Sequence, residues 1–423
     1  MPVANGRRVA VIAGCRTPFC KSGTVLKDAR AVDLARFVAR ELLERTNLDG
    51  ADVNAVIFGQ VVPSALVPNV AREVSLLPQF PKEIPAYSLN RACASSGQAV
   101  ANAYDEIVLG DAEVVLAGGV ESLSDIPILA SRRLADILVE ASKAKSFGAR
   151  LRTLSRIRPR DLVPVSPAIA EPSTGETMGQ SAEKMAKENH ISRAAQDRWA
   201  LRSHELAARG TDDGRIPAEI VPWFPPPVGG RAGDAVVTQD NGIRRDTSLE
   251  QMAKLKPVFD RRYGSVTAAN SSPLTDGASA VLLMRDSAAR ALGYTPLAYV
   301  RAYAVAAVDP GWQLLQAPIF AVPKALERAG IEWKDLGVIE VHEAFAAQVL
   351  SNLQGWAALG WDINEDIINV MGGSIAIGHP FGATGTRLVT TLASEMARRD
   401  VQFGLLSICA QGGMGLAMVL ERR

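Results

Sequence analysis

The chain repeats itself. Setting "LLERTNLDGADVNAVIF" (42–58) beside "ALERAGIEWKDLGVIEV" (325–341), at a constant offset of 283, pairs Leu43 with Leu326, Glu44 with Glu327 and Arg45 with Arg328. Leu48 then meets Ile331, Asp52 meets Asp335 and Val56 meets Ile339. Each copy reads as an amphipathic helix, a short polar connection and a β-branched strand. One ungapped match can arise by chance, but the downstream segments agree. The first copy continues into "YSLNRACASSGQAVANAYDEIVLGDAEVVLAGGVE", which reads as strand, turn, helix and apolar strand ending in Gly118-Gly119. The second continues into "IINVMGGSIAIGHPFGATGTRLVTTLASEMARRDVQFGLLSICAQGGMG", again a glycine-rich turn, a helix and an apolar strand ending in glycines. Such a series predicts an α/β protein of two duplicated halves, each with a mostly parallel sheet covered by helices on both faces.

Between the halves, residues 125–245 are rich in Pro, Arg and polar residues, with "EPSTGETMGQSAEKMAKE" and "VPWFPPPVGG" as punctuation. Helical periods in "TGETMGQSAEKMAKENHISRAAQDRWALRSHELAARG" predict an inserted subdomain over the strand ends of the first half. The organisation expected is 1–124 plus about 246–288 as the N-terminal half, 125–245 as the insert and 289–423 as the C-terminal half. At 423 residues, the chain has ample length for this arrangement.

Charge excludes some roles. Lys plus Arg (46) nearly cancel Asp plus Glu (45), so nothing draws the whole molecule toward nucleic acid. Four cysteines are too few for a disulfide scaffold in a chain of this size. Cys15 and Cys20 are not followed by a second pair at zinc-site spacing, so no structural metal is expected. Free thiols, a start without the apolar core of a signal peptide and no apolar run of membrane-spanning length suggest a cytoplasmic protein.

The remaining cysteines stand in more telling places. In "NRACASSGQA" (90–99), Cys93 falls where a strand hands over to a helix. The helix dipole and exposed backbone N–H groups there favour a thiolate, and small neighbours let a ligand approach. A buried, inert cysteine is the alternative. In "GGSIAIGHPFGATG" (372–385), His379 sits in a glycine-rich turn, where it is either functional or a helix cap. Cys409 ends a strand in "SICAQGGMG", and His342 lies in "VHEAFAAQ". Strand ends of open α/β sheets are where active sites form, so Cys93, His342, His379 and Cys409 are expected to converge. His190 and His204 read as surface or packing residues.

Two sulfurs and an imidazole suggest a division of labour. One thiolate attacks a carbonyl and carries an acyl group, and a second group moves a proton at the carbon α to a thioester. Negative oxygen develops twice in such chemistry, so two sets of donors are expected. "GGSIAIGHP" is no dinucleotide fingerprint, because its histidine-proline turn is wrong for one.

The ordered set "NRACASSGQA", "GGVESLS", "VTAANSSPLTDGASA", "HEAFA", "GGSIAIGHPFGATG" and "CAQGGMG" resembles the thiolase family over essentially the whole chain. The resemblance implies a thiolase-like five-layered α-β-α-β-α core and an acyl-CoA:acetyl-CoA C-acyltransferase that cleaves 3-ketoacyl-CoA with free CoA. On this likeness Cys93 is the acylated nucleophile and Cys409 the acid/base. His379 activates the nucleophile and helps hold the enolate oxygen. The N–H groups of Cys93 and Gln411 form a second oxyanion hole. Ser272 is implied as a contact of the pantetheine arm and Met178 as a wall of the acyl pocket. Thr177 is implied as a further substrate or CoA contact, and, standing where many short-chain biosynthetic members carry histidine, it favours a degradative enzyme. Coenzyme A and acyl-CoA are substrates; no cofactor and no metal are implied.

Two departures sharpen the likeness. His342 stands where most thiolases have the asparagine of "NEAFA", and "HEAF" is similar to the β-subunits of multienzyme fatty-acid oxidation (trifunctional) complexes. The segment 131–160 holds nine basic and two acidic residues and resembles extra sequence in those same subunits. Phe147, Leu151 and Leu154 fall there at helical spacing among arginines. The segment reads either as a solvated basic face packing Leu134, Ile137 and Leu138 inward, or as a surface for a partner subunit, anionic lipid or CoA phosphates. A homodimer or homotetramer is implied, with a hydratase/dehydrogenase subunit as a possible partner. The alternatives are an acetoacetyl-CoA thiolase condensing two acetyl-CoA, and an inactive carrier or scaffold on the same fold.

Overall fold

The structure is a computed structural model that describes residues 7–165, 170–225 and 235–423. The first six residues and the "PPVGG" part (226–230) of the proline-rich punctuation lie outside the described residues.

Ten strands make one sheet: β1 (Val9–Arg16), β2 (Cys20–Lys21), β3 (Ala55–Gly59), β4 (Ala86–Leu89), β5 (Val114–Glu121), β6 (Thr275–Arg285), β7 (Ala298–Ala307), β8 (Leu336–Val341), β9 (Phe403–Ala410) and β10 (Met414–Glu421). The order is β4-β3-β5-β6-β1-β7-β10-β9-β8, with β2 paired to β6. Equating β3, β5, β6 and β1 with β8, β9, β10 and β7 makes the order read the same from either end, save for β4, which has no counterpart strand beyond β8 among the described residues. The halves join where β1 pairs with β7, antiparallel, across Val9–Val11. The repeat is visible in detail: short helical turns at Gly50–Asp52 and Trp333–Asp335 differ by the same 283 positions as the sequence match.

The expectation of a mostly parallel sheet needs correcting. Only the β3–β4, β3–β5 and β8–β9 pairs are parallel. In each half the strand after the parallel pair runs antiparallel to it, β6 against β5 and β10 against β9. The physical reason is plain for β10, which follows β9 through a short turn with Gly412 and Gly413 at positive φ, a connection that permits only an antiparallel return. For β6, the long insert frees the chain to come back from either direction.

The sheet is folded about two central helices, Ser95–Leu109 and Thr384–Arg399, which pack on each other and line the inner cluster together with strands of both halves. The helix Ala31–Thr46 covers the outer face of the first half. Pro318–Ala329 and Ala346–Ala357 cover that of the second. The result is five layers, α-β-α-β-α. Close approach of the central helices needs glycine: a Cβ on Gly385 would run into the backbone of Gly97 on the partner helix.

The insert carries Met178–Glu188 and Arg193–Asp212, which pack toward the C-terminal half, and a basic pair, Arg132–Ser142 and Phe147–Leu154. In that pair Ile137 is buried, whereas Leu138, Phe147 and Leu151 face outward. Packing of Leu138 inward is thus not seen. His204 is buried and accepts a hydrogen bond from the Arg244 N–H, and His190 is an exposed residue at positive φ after a helix end. Cys15 and Cys20 are buried thiols, both pushed up to about 12 by burial.

Candidate active site

Cys93 lies between the end of β4 and the central helix that starts at Ser95. The turn is tight: Ala92 sits at φ +45, in the left-handed region that a residue with a Cβ seldom adopts. Hydrogen bonds hold it there. Ser95 Oγ donates to the Ala92 carbonyl (2.7 Å) and accepts from the Arg91 N–H (2.9 Å), while Ala92 N–H donates to Asn90 Oδ1 (2.8 Å). Strain carried at one residue by a fully bonded turn aims the next side chain, and here that is the cysteine.

From the second half come the histidines and Cys409. His342 directly follows β8, its N–H donating to the Ser407 carbonyl (2.8 Å). His379 follows the helical turn Ser374–Ile377 and Gly378, which adopts φ +115. Their rings lie 4.1 Å apart between centroids at 47°. His342 Nδ1 meets Ser374 Oγ at 2.9 Å, and His379 Nδ1 meets Thr384 Oγ1 at 2.6 Å. Both Nε2 atoms are buried without a hydrogen-bond partner among the described residues. Cys93, His342 and His379 bring three ligand-type atoms within 4.8 Å of one another.

A cavity of ≈ 90 Å³ is lined by Cys93, His379 and Cys409 together with Met178, Ser272, Phe345 and Gln411, whereas His342 stands behind its wall against His379. A groove of ≈ 750 Å³ along Trp333 and Trp361 is larger but carries neither sulfur. Thr177 is not on the cavity wall; its hydroxyl accepts from the Gln180 N–H in a capping box at the start of the helix whose first residue, Met178, does reach the cavity. Ser272 is held by its N–H donating to the Ala344 carbonyl (2.9 Å).

Electrostatics corrects one expectation. A resting thiolate at Cys93 is not favoured: burial pushes its thiol up to about 11, against the pull of the N–H groups of Gln411 and of Cys93 itself. Desolvation outweighs whatever the helix end supplies. Those two N–H groups nevertheless converge on the sulfur, where they can meet negative oxygen on an atom bonded to it. Burial, and then the neighbouring Arg387, lower His379 to about 3, so its imidazole is neutral, and burial weakens it as a base. His342 is pushed well below its usual range by burial first, then by His379 and Arg387. Cys409 is pushed well above the usual thiol range by burial first, and next by the repulsion that a thiolate at Cys93 would add.

Several supporting residues were given no role by sequence reasoning, although all but Arg387 lie inside the quoted motifs. Glu343 is buried and accepts from Trp199 Nε1 (3.0 Å), Ser203 Oγ (2.7 Å) and Asn369 Nδ2 (2.8 Å), which fixes the loop behind His342. Glu121, the last residue of β5, accepts from the N–H groups of Val61 (3.0 Å), Val62 (3.1 Å) and Gly382 (3.1 Å), and so ties the first half to the turn before the second central helix. Ser374, Thr384 and Arg387 stand behind the imidazoles. Their place inside the motifs was the signal that could have found them.

The comparisons with known proteins bear on this arrangement. The family model "Thiolase, N-terminal domain" matches residues 9–287, and "Thiolase, C-terminal domain" matches residues 294–422. The chain belongs to the thiolase family. It is similar to the 3-ketoacyl-CoA thiolases of Shewanella loihica, at 47% identity over 99% of this chain and 98% of the relative, and of Aeromonas salmonicida, at 48% over 99% and 97%. Among solved structures, human mitochondrial 3-ketoacyl-CoA thiolase superposes with a TM-score of 0.84 at 33% identity, covering 99% of this chain and 100% of that one. The acetyl-CoA acetyltransferase of Bacillus anthracis gives 0.87 at 32%, covering 98% of each. As a thiolase, the chain has the two-half, five-layer core of its family. Among the described residues no helix is long and apolar enough to cross a membrane.

Proposed function

We propose that this thiolase is a 3-ketoacyl-CoA thiolase, an acetyl-CoA C-acyltransferase that cleaves 3-ketoacyl-CoA with coenzyme A in fatty-acid β-oxidation. The observation that carries this reading is the single cavity shared by Cys93, His379 and Cys409. Cys93 gives its proton to His379 Nε2 and its sulfur attacks the 3-keto carbon. The resulting oxyanion is met by the N–H groups of Cys93 and Gln411. Collapse of the adduct reforms the carbonyl as an acyl-thioester and breaks the bond between the α carbon and the keto carbon. The electron pair passes into the acetyl-CoA enolate, whose oxygen is held by the imidazoles of His342 and His379. Cys409 protonates the α carbon, and acetyl-CoA departs. Incoming CoA then yields its thiol proton to Cys409, its sulfur takes the acyl group, and the Cys93 sulfur so released recovers its proton from His379 Nε2. No cofactor or metal enters this scheme.

Met178 and Ser272 are proposed to line the path of the acyl chain and the pantetheine arm. Steady-state thiolysis with a C10–C16 3-ketoacyl-CoA tests the assignment. The condensing reading rests on the likeness to the Bacillus anthracis acetyltransferase. A preference for acetoacetyl-CoA over the longer substrates would favour it, and absence of any acyl-Cys93 with either would leave only a carrier or scaffold.

For the segment 131–160 we propose contact with a hydratase/dehydrogenase subunit or an anionic membrane surface. Exposed Phe147 (81%) and Leu151 (58%), beside Arg150 and Arg152, support an amphipathic contact of this kind. The chain is proposed to act in the cytoplasm as a homodimer or homotetramer. Co-purification from native extract, with mass determination, tests both.

A further inference from the structure

The two imidazoles of the site are backed by hydroxyls that differ in what they can give. Ser374 Oγ lies 2.9 Å from His342 Nδ1 and 3.4 Å from Arg387 Nη2. Arginine has only donors, so toward Arg387 the serine oxygen can only accept. Its own proton must go elsewhere, and His342 Nδ1 is the one acceptor within hydrogen-bond distance among the described residues. Both groups are buried, where an unmatched hydroxyl costs free energy. A proton donated to Nδ1 means that Nδ1 is bare and Nε2 carries the hydrogen.

At His379 the arrangement is reversed. Thr384 Oγ1 has the Pro380 carbonyl at 3.0 Å, a group that can only accept, and it can send its proton there. Its oxygen is then free to accept from His379 Nδ1 at 2.6 Å, leaving Nε2 bare.

We propose that Ser374, held by Arg387, is a positioning residue that fixes His342 as the Nε2–H tautomer, a dedicated oxyanion donor, while Thr384 fixes His379 in the opposite tautomer as a base. The division gives adjacent, equally neutral imidazoles different tasks without any difference in charge. Its consequence for the reaction rests on the thiolase reading above, but the tautomers themselves do not.

The chain has four histidines, so nitrogen-15 spectra of histidine-labelled protein can be assigned with single variants. The expected result is a protonated Nε2 and bare Nδ1 on His342, and the reverse on His379. Ser374→Ala should let His342 populate both tautomers and lower kcat about tenfold to a hundredfold, with KM changed little, while Ser374→Thr keeps activity. On a His342→Asn background, Ser374→Ala should add no further loss. A protonated Nδ1 on His342 in the unmodified protein overturns the proposal, and so does an undiminished Ser374→Ala effect on the His342→Asn background. If instead the protein cleaves no 3-ketoacyl-CoA at all while the spectra are as expected, it is the functional reading that falls.

Discussion

Cys93 and Cys409, from opposite halves of a duplicated chain, open onto one small cavity, and burial raises the thiols of both. That relationship makes the two sulfurs separable by experiment. Cys409→Ala should abolish exchange of the acetyl-CoA methyl protons with deuterated water, read by NMR, since no other acid/base group is assigned to that carbon. Persistent exchange would remove Cys409 from the proton-transfer role.

Cys93→Ser should abolish turnover while leaving the circular dichroism spectrum unchanged and the thermal midpoint within about 2 °C. A serine fits the same turn, whose bonds are made by Asn90, Arg91, Ala92 and Ser95 rather than by the sulfur.

The alkylation of Cys93 has a definite pH profile. With its thiol pushed up to about 11, the thiolate fraction rises about tenfold per pH unit through the neutral and mildly alkaline range. Iodoacetamide should therefore modify Cys93 ever faster from pH 7 to pH 10, before Cys15 and Cys20, and acyl-CoA should protect it. A rate that levels off below pH 8 would indicate a resting thiolate-imidazolium pair, contrary to the neutral His379 described above.

Glu121→Gln keeps the shape of the side chain but replaces one accepting oxygen with a donor that faces backbone N–H groups. A loss of about 1–3 kcal/mol is expected, measured as a lower urea midpoint. An unchanged midpoint would mean that the three N–H bonds contribute no net stability.

Gly385→Ala should cost about 1–3 kcal/mol or more, because the new methyl meets backbone of the partner helix, which cannot swing aside as a side chain would. The same substitution at Gly148, where a Cβ meets nothing, is the control and should leave stability nearly unchanged.

The duplication was readable because its helix, turn and strand kept both spacing and polarity, and the turns at Asp52 and Asp335 sit where the offset puts them. Strand direction was not readable: alternating elements suggest crossovers, and periodicity does not report whether β6 and β10 return parallel or antiparallel. Cys93, His379 and Cys409 stood out through their turns and strand ends. The charge state of Cys93 did not, since a helix start is local to the sequence, whereas the desolvating walls come from residues far along the chain. Glu343 and Ser374 lie inside quoted motifs, but what they hold was not readable, because their partners Trp199, Asn369 and Arg387 come from other elements of the chain. Thr177 drew attention through its place in a pattern, and its hydroxyl turned out to cap a helix.

Glu121 and Gly382 carry a last implication. Gly382 precedes its central helix by two residues, as Cys93 precedes the other, and Glu121 closes β5 as Ala410 closes β9. Each repeat has thus built a nest of amide hydrogens beside its buried helix. In one nest the protein's own carboxylate is seated; the other, beside a sulfur, would serve the transient oxyanion of the proposed reaction. A polypeptide that is structurally double is accordingly monovalent, and a saturating acyl donor should load one equivalent per chain, not two.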